Sequence, residues 1–124
     1  MQRPADFEGT FHLLSNIGRL GPVWSGYKPT HKLFDNYFSS GHHEYDFVEK
    51  LHPGETAFVR VWLITPDVYP KSIWAGRVLE VFEGQKLIGQ IDISVVNNFI
   101  LLGQAENYNP IWVLPPSFEA DPVK

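Results

Sequence analysis

The side chains whose types and spacing could do chemistry are histidines and carboxylates. His42, His43 and Glu44 stand together, with His52 beyond them. In an extended chain His42 and Glu44 share one face and His43 points to the other. Two side chains at that spacing could bind a metal ion or serve a small hydrolase, given help from elsewhere. A metal site needs a complete donor set, and no spacing here supplies one. The expectation is surface or turn histidines and no metal. Asp35 and His31 with a nearby serine could be drawn as a hydrolytic triad, but no nucleophile-elbow motif supports it. Asp67, Glu80, Glu83 and Asp92 could work as acid and base only at specific separations inside a cleft. The chain is therefore read as a non-enzyme, with a His42/His43-dependent hydrolase or metal enzyme as the minor alternative.

Other chemistries have no residues to carry them. There is no G-x-x-x-x-G-K-S/T phosphate loop. Gly9, Gly18 and Gly21 are not spaced as a dinucleotide fingerprint and lie in no βαβ pattern, so no cofactor is expected. The absence of cysteine removes disulfides, thiolate zinc sites and thiol nucleophiles together. A net charge of −4 argues against non-specific nucleic-acid binding, which needs a cationic surface to displace counterions. The first residues, MQRPADFEGT, lack the apolar run of a secretory signal, and no apolar run approaches the roughly 20 residues that span a bilayer. A soluble, cytoplasmic protein with no membrane partner is expected.

Aromatic side chains are the more promising binding groups. Trp24, Tyr27, Trp62, Tyr69, Trp74, Tyr108 and Trp112 are many for 124 residues. Most are expected to fill a core, because large rings bury the area a small domain needs. Trp24, Tyr27, Tyr69 and Trp112 are candidates for a partner surface, since Trp and Tyr dominate interface hot spots.

The elements that must position these groups read as strands. Ten prolines and ten glycines favour many turns over long helices. Residues 7–14 (FEGTFHLL) place Phe7, Phe11 and Leu13 on one face, with Gly9 as a bulge or close approach. Residues 30–38 and 42–49 form the next two strands, separated by a turn at Ser39-Ser40-Gly41. Tyr45, Phe47 and His43 share a face of the third strand. Pro29 belongs at a strand start or edge. Residues 56–65 give the most regular strand, with Ala57, Val59, Val61 and Leu63 on one side and Phe58, Trp62 and Ile64 on the other. A strand apolar on both faces is central or covered. Residues 73–82 and 86–95 form a hairpin around Glu83-Gly84-Gln85, and Gly89 marks a bulge. Six strands with turns between them predict an all-β fold, a small closed antiparallel barrel.

The barrel domain is assigned to residues 1–96. Residues 97–124 are a C-terminal extension expected to pack on it, its Phe99–Leu102 and Ile111–Leu114 pieces lying over Phe58 and Trp62 or serving a partner.

Several stretches taken together resemble the third, C-terminal domain of bacterial elongation factor Tu. FEGTFHLLS looks like its opening strand. Gly18-Arg19 followed by Gly26-Tyr27-Lys28-Pro29 is similar to its GGRHTPFF-x-GYRP segment. Leu51-His52-Pro53-Gly54-Glu55 resembles its VMPGD turn, Val61 to Pro66 its strand ending in LI-x-P, and Glu83 to Gly89 its REGGRTVGAG hairpin. The resemblance covers residues 6 to 96 and implies a six-stranded antiparallel barrel. In that family the domain holds the GTPase domain in its active arrangement and touches the backbone of aminoacyl-tRNA. Of the tRNA-contacting positions, Arg19, Glu83 and Gly84 match, and Lys28 stands for an arginine. Phe82, Thr30 and Leu20 replace an arginine, a glutamine and a histidine. Losing an arginine removes a bidentate phosphate contact.

The function expected is that of a non-catalytic binding module for another protein, translation-associated or mimicking the factor. RNA or tRNA binding is the alternative. The residues singled out for RNA or partner contact are Arg19, Lys28, Glu83, Gly84 and Lys86.

Overall fold

A computed structural model of the chain describes residues 3–15 and 21–105. Eight strands follow in chain order: β1 (Phe7–Leu13), β2 (Val23–Trp24), β3 (Thr30–Phe34), β4 (Tyr37–Asp46), β5 (Lys50–Leu51), β6 (Thr56–Leu63), β7 (Val78–Glu83) and β8 (Lys86–Val96). Six of them close into an antiparallel barrel in the order β1-β6-β4-β3-β7-β8, and β2 pairs with β5 in a small separate sheet. The expected fold class is the observed one. Among the described residues no helix is long and apolar enough to cross a membrane.

Side-chain alternation drives the closure. Inward positions of β1, β6 and β7 are apolar and buried: Phe7, Phe11 and Leu13; Ala57, Val59, Val61 and Leu63; Leu79 and Val81. Each fully buried Leu, Ile or Phe contributes about 1.5–3 kcal/mol of transfer free energy. Closure also pairs strand edges that would otherwise template aggregation.

Both glycine expectations hold. At Gly9 a Cβ would lie 2.1 Å from the Asp92 carbonyl oxygen, and the β1/β8 register shifts there. At Gly89 a Cβ would lie 2.4 Å from the His12 carbonyl oxygen, beside a register shift between β7 and β8. The two shifts leave Ser94 and Ile88 as the extra residues of β8, the local bends a small barrel uses to close.

Residues 30–49 fold differently from expectation. The turn is at Asp35-Asn36, where Asn36 has φ 66, a left-handed conformation asparagine tolerates. Ser39, Ser40 and Gly41 lie inside β4 rather than in a turn. Gly41 is required by packing: a Cβ there would lie 2.8 Å from the His31 ring. Strand β4 ends at Asp46, and Phe47, at φ 70, leaves it. The last hairpin begins at Val78, not at residue 73, and turns on Gly84-Gln85 with Gly84 at φ 64. Positive φ at the first of two turn residues is what a type II′ hairpin turn needs.

The barrel has two unlike ends. At the lower end Asp6 is buried and gathers three segments. Its carboxylate accepts from Leu63 N–H at 2.7 Å, from Asn98 Nδ2 at 2.9 Å, and from Arg3, while its carbonyl accepts from Asn97 and Asn98 N–H. Arg77 donates to the carbonyls of Ser72 and Leu33. Leu101 is fully buried, and Ile73 and Leu102 form a parallel bridge. The first part of the extension therefore plugs the lower end instead of lying over Trp62. Trp62 is 6% exposed because the Arg3 carbonyl receives its indole N–H and His42 and Arg60 flank its ring. The Ile111–Leu114 piece lies outside the described residues. The upper end carries β2, β5, the segment 25–29 and the Gly84-Gln85 tip.

Candidate functional site

Two histidines sit inside the barrel: His43, contrary to the surface expectation, and His31. His31 and His43 are fully buried. His31 Nδ1 lies 3.0 Å from the Ser39 carbonyl, His31 Nε2 lies 2.8 Å from His43 Nε2, and His43 Nδ1 lies 2.9 Å from the Tyr45 hydroxyl. A carbonyl can only accept, so His31 carries its proton on Nδ1. With both rings neutral, His43 must then donate from Nε2 and accept at Nδ1 from the Tyr45 O–H. The proton order runs in one direction: Tyr45 to His43 to His31 to the Ser39 carbonyl. Burial pushes the His31 pKa down from 6.5 to about 4, the Ser39 bond opposing it weakly. Burial, then the charges of His31 and His42, holds His43 well below the ordinary value. Both rings are neutral near pH 7 for that reason.

This arrangement dissolves the triad. His31 faces inward, and the Asp35 side chain is 95% exposed at the lower turn. His42 pairs with Glu44 on the outer wall, beside Arg60 with Asp46 at 3.0 Å. Among the described residues no group of three or more His, Asp or Glu side chains could hold a metal ion. The carboxylates drawn as acid–base pairs take other partners: Glu80 meets Lys32 at 3.8 Å and Asp92 meets His12 at 3.2 Å.

The candidate binding residues gather at the upper rim. Segment 25–29 extends the line of β3 alongside β4. Gly26 N–H donates to the His43 carbonyl at 2.7 Å, His43 N–H to the Tyr27 carbonyl at 2.9 Å, and Gly41 N–H to the Pro29 carbonyl at 3.1 Å. Ser25 Oγ accepts from Tyr45 N–H at 2.9 Å. Tyr27 O–H reaches Glu83 at 3.1 Å, joining this segment to the hairpin tip across 56 residues of sequence. Lys28, Glu83, Gly84 and Lys86 are all exposed on this rim. Trp24 is 48% exposed, its ring 5.2 Å from the Lys50 ammonium that pairs with it across β2 and β5.

Tyr69 is elsewhere. It is 8% exposed at the lower end, against Phe34, with its hydroxyl on the Phe38 carbonyl. Arg19 and Trp112 lie outside the described residues.

Sequence reasoning missed the most exposed member of the rim. Phe47 is 98% exposed in a left-handed backbone, followed by the exposed Val48. As part of a strand it would have shared the inward face of His43 and Tyr45. The available signal was the Phe47-Val48-Glu49 run just before a turn. Comparison of the sequence with models of known protein families returns no match, and comparison with curated proteins returns none either.

Proposed function

We propose that this chain is a non-catalytic binding module that docks a protein partner on the upper rim of its barrel, in the cytoplasm. Phe47 carries the reading. A bulky residue held at positive φ costs about 1–2 kcal/mol, and at 98% exposure its ring returns no burial. Trp24 and Val48 extend the apolar surface, and the backbone bonds of segment 25–29 and the β2/β5 pair hold it in place. Exposed aromatics on a fixed frame are the usual anchors of a protein interface.

The rim charges favour protein over RNA. Lys28, Lys50 and Lys86 are interleaved with Glu49, Glu55 and Glu83, all exposed, so the rim is not a cationic track for phosphates. The likeness to the elongation factor Tu barrel supports the same class of function. Two of the segments that carry it, Gly26 to Pro29 and the Glu83-Gly84 tip, lie side by side. A translation-associated role or mimicry of that factor is the specific form of this proposal.

The test compares wild type with Trp24→Ala and Phe47→Ala as baits in the native host. A protein captured reproducibly by wild type and lost with both variants is the expected result. Capture unaffected by either change, or no protein captured, would overturn it. A salt-sensitive RNA shift lost on changing Lys28 and Lys86 would replace it with the nucleic-acid reading.

A further inference from the structure

The buried hydrogen-bond chain and the exposed rim share one strand. His43 and Tyr45 point their side chains into the barrel, while their backbone groups hold segment 25–29 at the rim. The Tyr27 ring stands edge-on to the His43 ring, with centroids 6.0 Å apart. We infer that the His31–His43–Tyr45 chain is a proton-operated latch, and that its protonation releases segment 25–29 and dismantles the partner-binding rim.

The hydrogen-bond order sets how the latch works. Neutral, every ring nitrogen has its complement. A proton added at His43 Nδ1 turns that atom from acceptor to donor, so Tyr45 must accept and swing its own hydrogen elsewhere. A second proton, on His31 Nε2, sets two N–H groups against each other at a 2.8 Å separation and places two cations side by side. Among the described residues neither charge has a counterion within the barrel. The elements packed around the pair face it with apolar groups: β1 with Phe7 and Phe11, β6 with Val59, Val61 and Leu63, β7 with Leu79 and Val81, and β8 with Ile88 and Ile91. From segment 25–29 comes Tyr27, whose hydroxyl is on Glu83. From β4 come Tyr45 and, on the outer wall, His42 paired with Glu44. A buried imidazolium must therefore recruit water. Segment 25–29 is bonded to the backbones of these two residues and lays the Tyr27 ring against His43, so water that reaches the pair from the rim displaces it. The lowered pKa values of both rings agree with a pair that resists its first proton.

The regulatory meaning rests on the rim being the docking site. The latch itself is measured without a partner, so either idea can fail alone. Histidine side-chain and backbone amide NMR signals of the full-length protein are followed from about pH 7 to about pH 4, with exchange protection corrected for intrinsic rates. His31 and His43 are expected to titrate together. Over the same interval Gly26 and His43 amides should lose protection about tenfold or more and exchange at a free energy below that of global unfolding, while Val59 and Val61 amides fall only as far as the global stability measured in urea falls. Titration of the rings with no change at Gly26 and His43 would overturn the latch, as would exchange of the Gly26 and His43 amides at the same free energy as Val59 and Val61, which would make their opening global. The double variant His31→Gln/His43→Gln keeps a donor and an acceptor at each position without a titrating ring. It should retain Gly26 protection at low pH, and a wild-type-like loss would assign the effect to other groups. Should that variant not fold, the wild-type titration decides alone.

Discussion

Replacing Asp6 by alanine tests whether the lower end of the barrel is held by one buried carboxylate. Asp6 is 1% exposed. Removing its side chain orphans the Leu63 N–H, bonded at 2.7 Å, in a buried setting. An unsatisfied buried N–H costs about 1–3 kcal/mol. Loss of the Asn98 bond at 2.9 Å adds about 1 kcal/mol. The Arg3 partner is 43% exposed, so solvent screens that ion pair and its share is about 0.5 kcal/mol. The sum for Asp6→Ala is about 2.5–4.5 kcal/mol, a large part of the roughly 5–15 kcal/mol that holds a domain of this kind together. Urea unfolding at constant m-value measures it. Asp6→Asn keeps one acceptor oxygen but turns an NH2 toward donors, and should cost about 2 kcal/mol. Arg3→Ala should cost about 1–2 kcal/mol, because it loses the half-exposed ion pair and a hydrogen bond to the Leu63 carbonyl at 2.9 Å but leaves Leu63 N–H and Asn98 bonded to Asp6. A loss under about 1 kcal/mol for Asp6→Ala would refute the reasoning, as would an Arg3→Ala loss equal to it.

Between pH 6.5 and about 4 the unfolded chain binds a proton that folded His31 refuses, so stability falls as pH drops through that window, by about 3 kcal/mol from His31 alone with His43 acting in the same direction. Urea midpoints that do not move between those pH values would contradict this. Gly9→Ala, whose Cβ would sit 2.1 Å from the Asp92 carbonyl oxygen, should cost about 2 kcal/mol or more and shift β1 against β8, whereas Gly21→Ala, with nothing near its Cβ, should be neutral by the same unfolding assay. Phe47→Gly relieves a left-handed backbone at φ 70 but loosens the unfolded chain, so its stability should stay within about 1 kcal/mol of wild type while partner capture is lost. A large destabilisation would mean that Phe47 packs in the folded state.

Where a strand's pattern depends on its own residues, the fold was legible. Ala57, Val59, Val61 and Leu63 alternate with outward groups because β6 has a core on one side, and the glycines at 9 and 89 mark approaches of backbone to backbone. Residues 37–46 were not legible as one strand. Ser39-Ser40-Gly41 has turn composition, and what makes Gly41 a strand residue is the His31 ring across the barrel. The same distance effect hid the histidines. Polar side chains enter a core only with partners, and His43 finds one in His31, 12 residues away, which no local pattern reveals. At the site, the juxtaposition of Tyr27 with Glu83 spans 56 residues, so no local pattern reveals it. The exposure of Phe47 depends on where β4 stops, and that in turn depends on segment 25–29 occupying the edge beside His43.

The two ends of the barrel spend their side chains on different tasks. At the lower end Asp6, Arg77, Tyr69 and Leu101 are each bonded or buried, and they fasten chain ends and loops to the strands. Exposed apolar groups occur there too, Phe99 at 87% among them, but without a left-handed backbone, so they carry no comparable local cost. At the upper end Phe47 combines exposure with conformational strain, and its stability cost has no return within the described residues. Below it lies a hydrogen-bond chain of two histidines and a tyrosine where apolar side chains of the same volume would be more easily desolvated. Folding alone explains neither feature, and they are neighbours in the chain, His43 and Tyr45 in β4 and Phe47 just beyond its end. The docking rim and the proton-operated latch proposed for this end of the barrel would account for both costs, the buried chain inside β4 and the strained, exposed Phe47 just past its end.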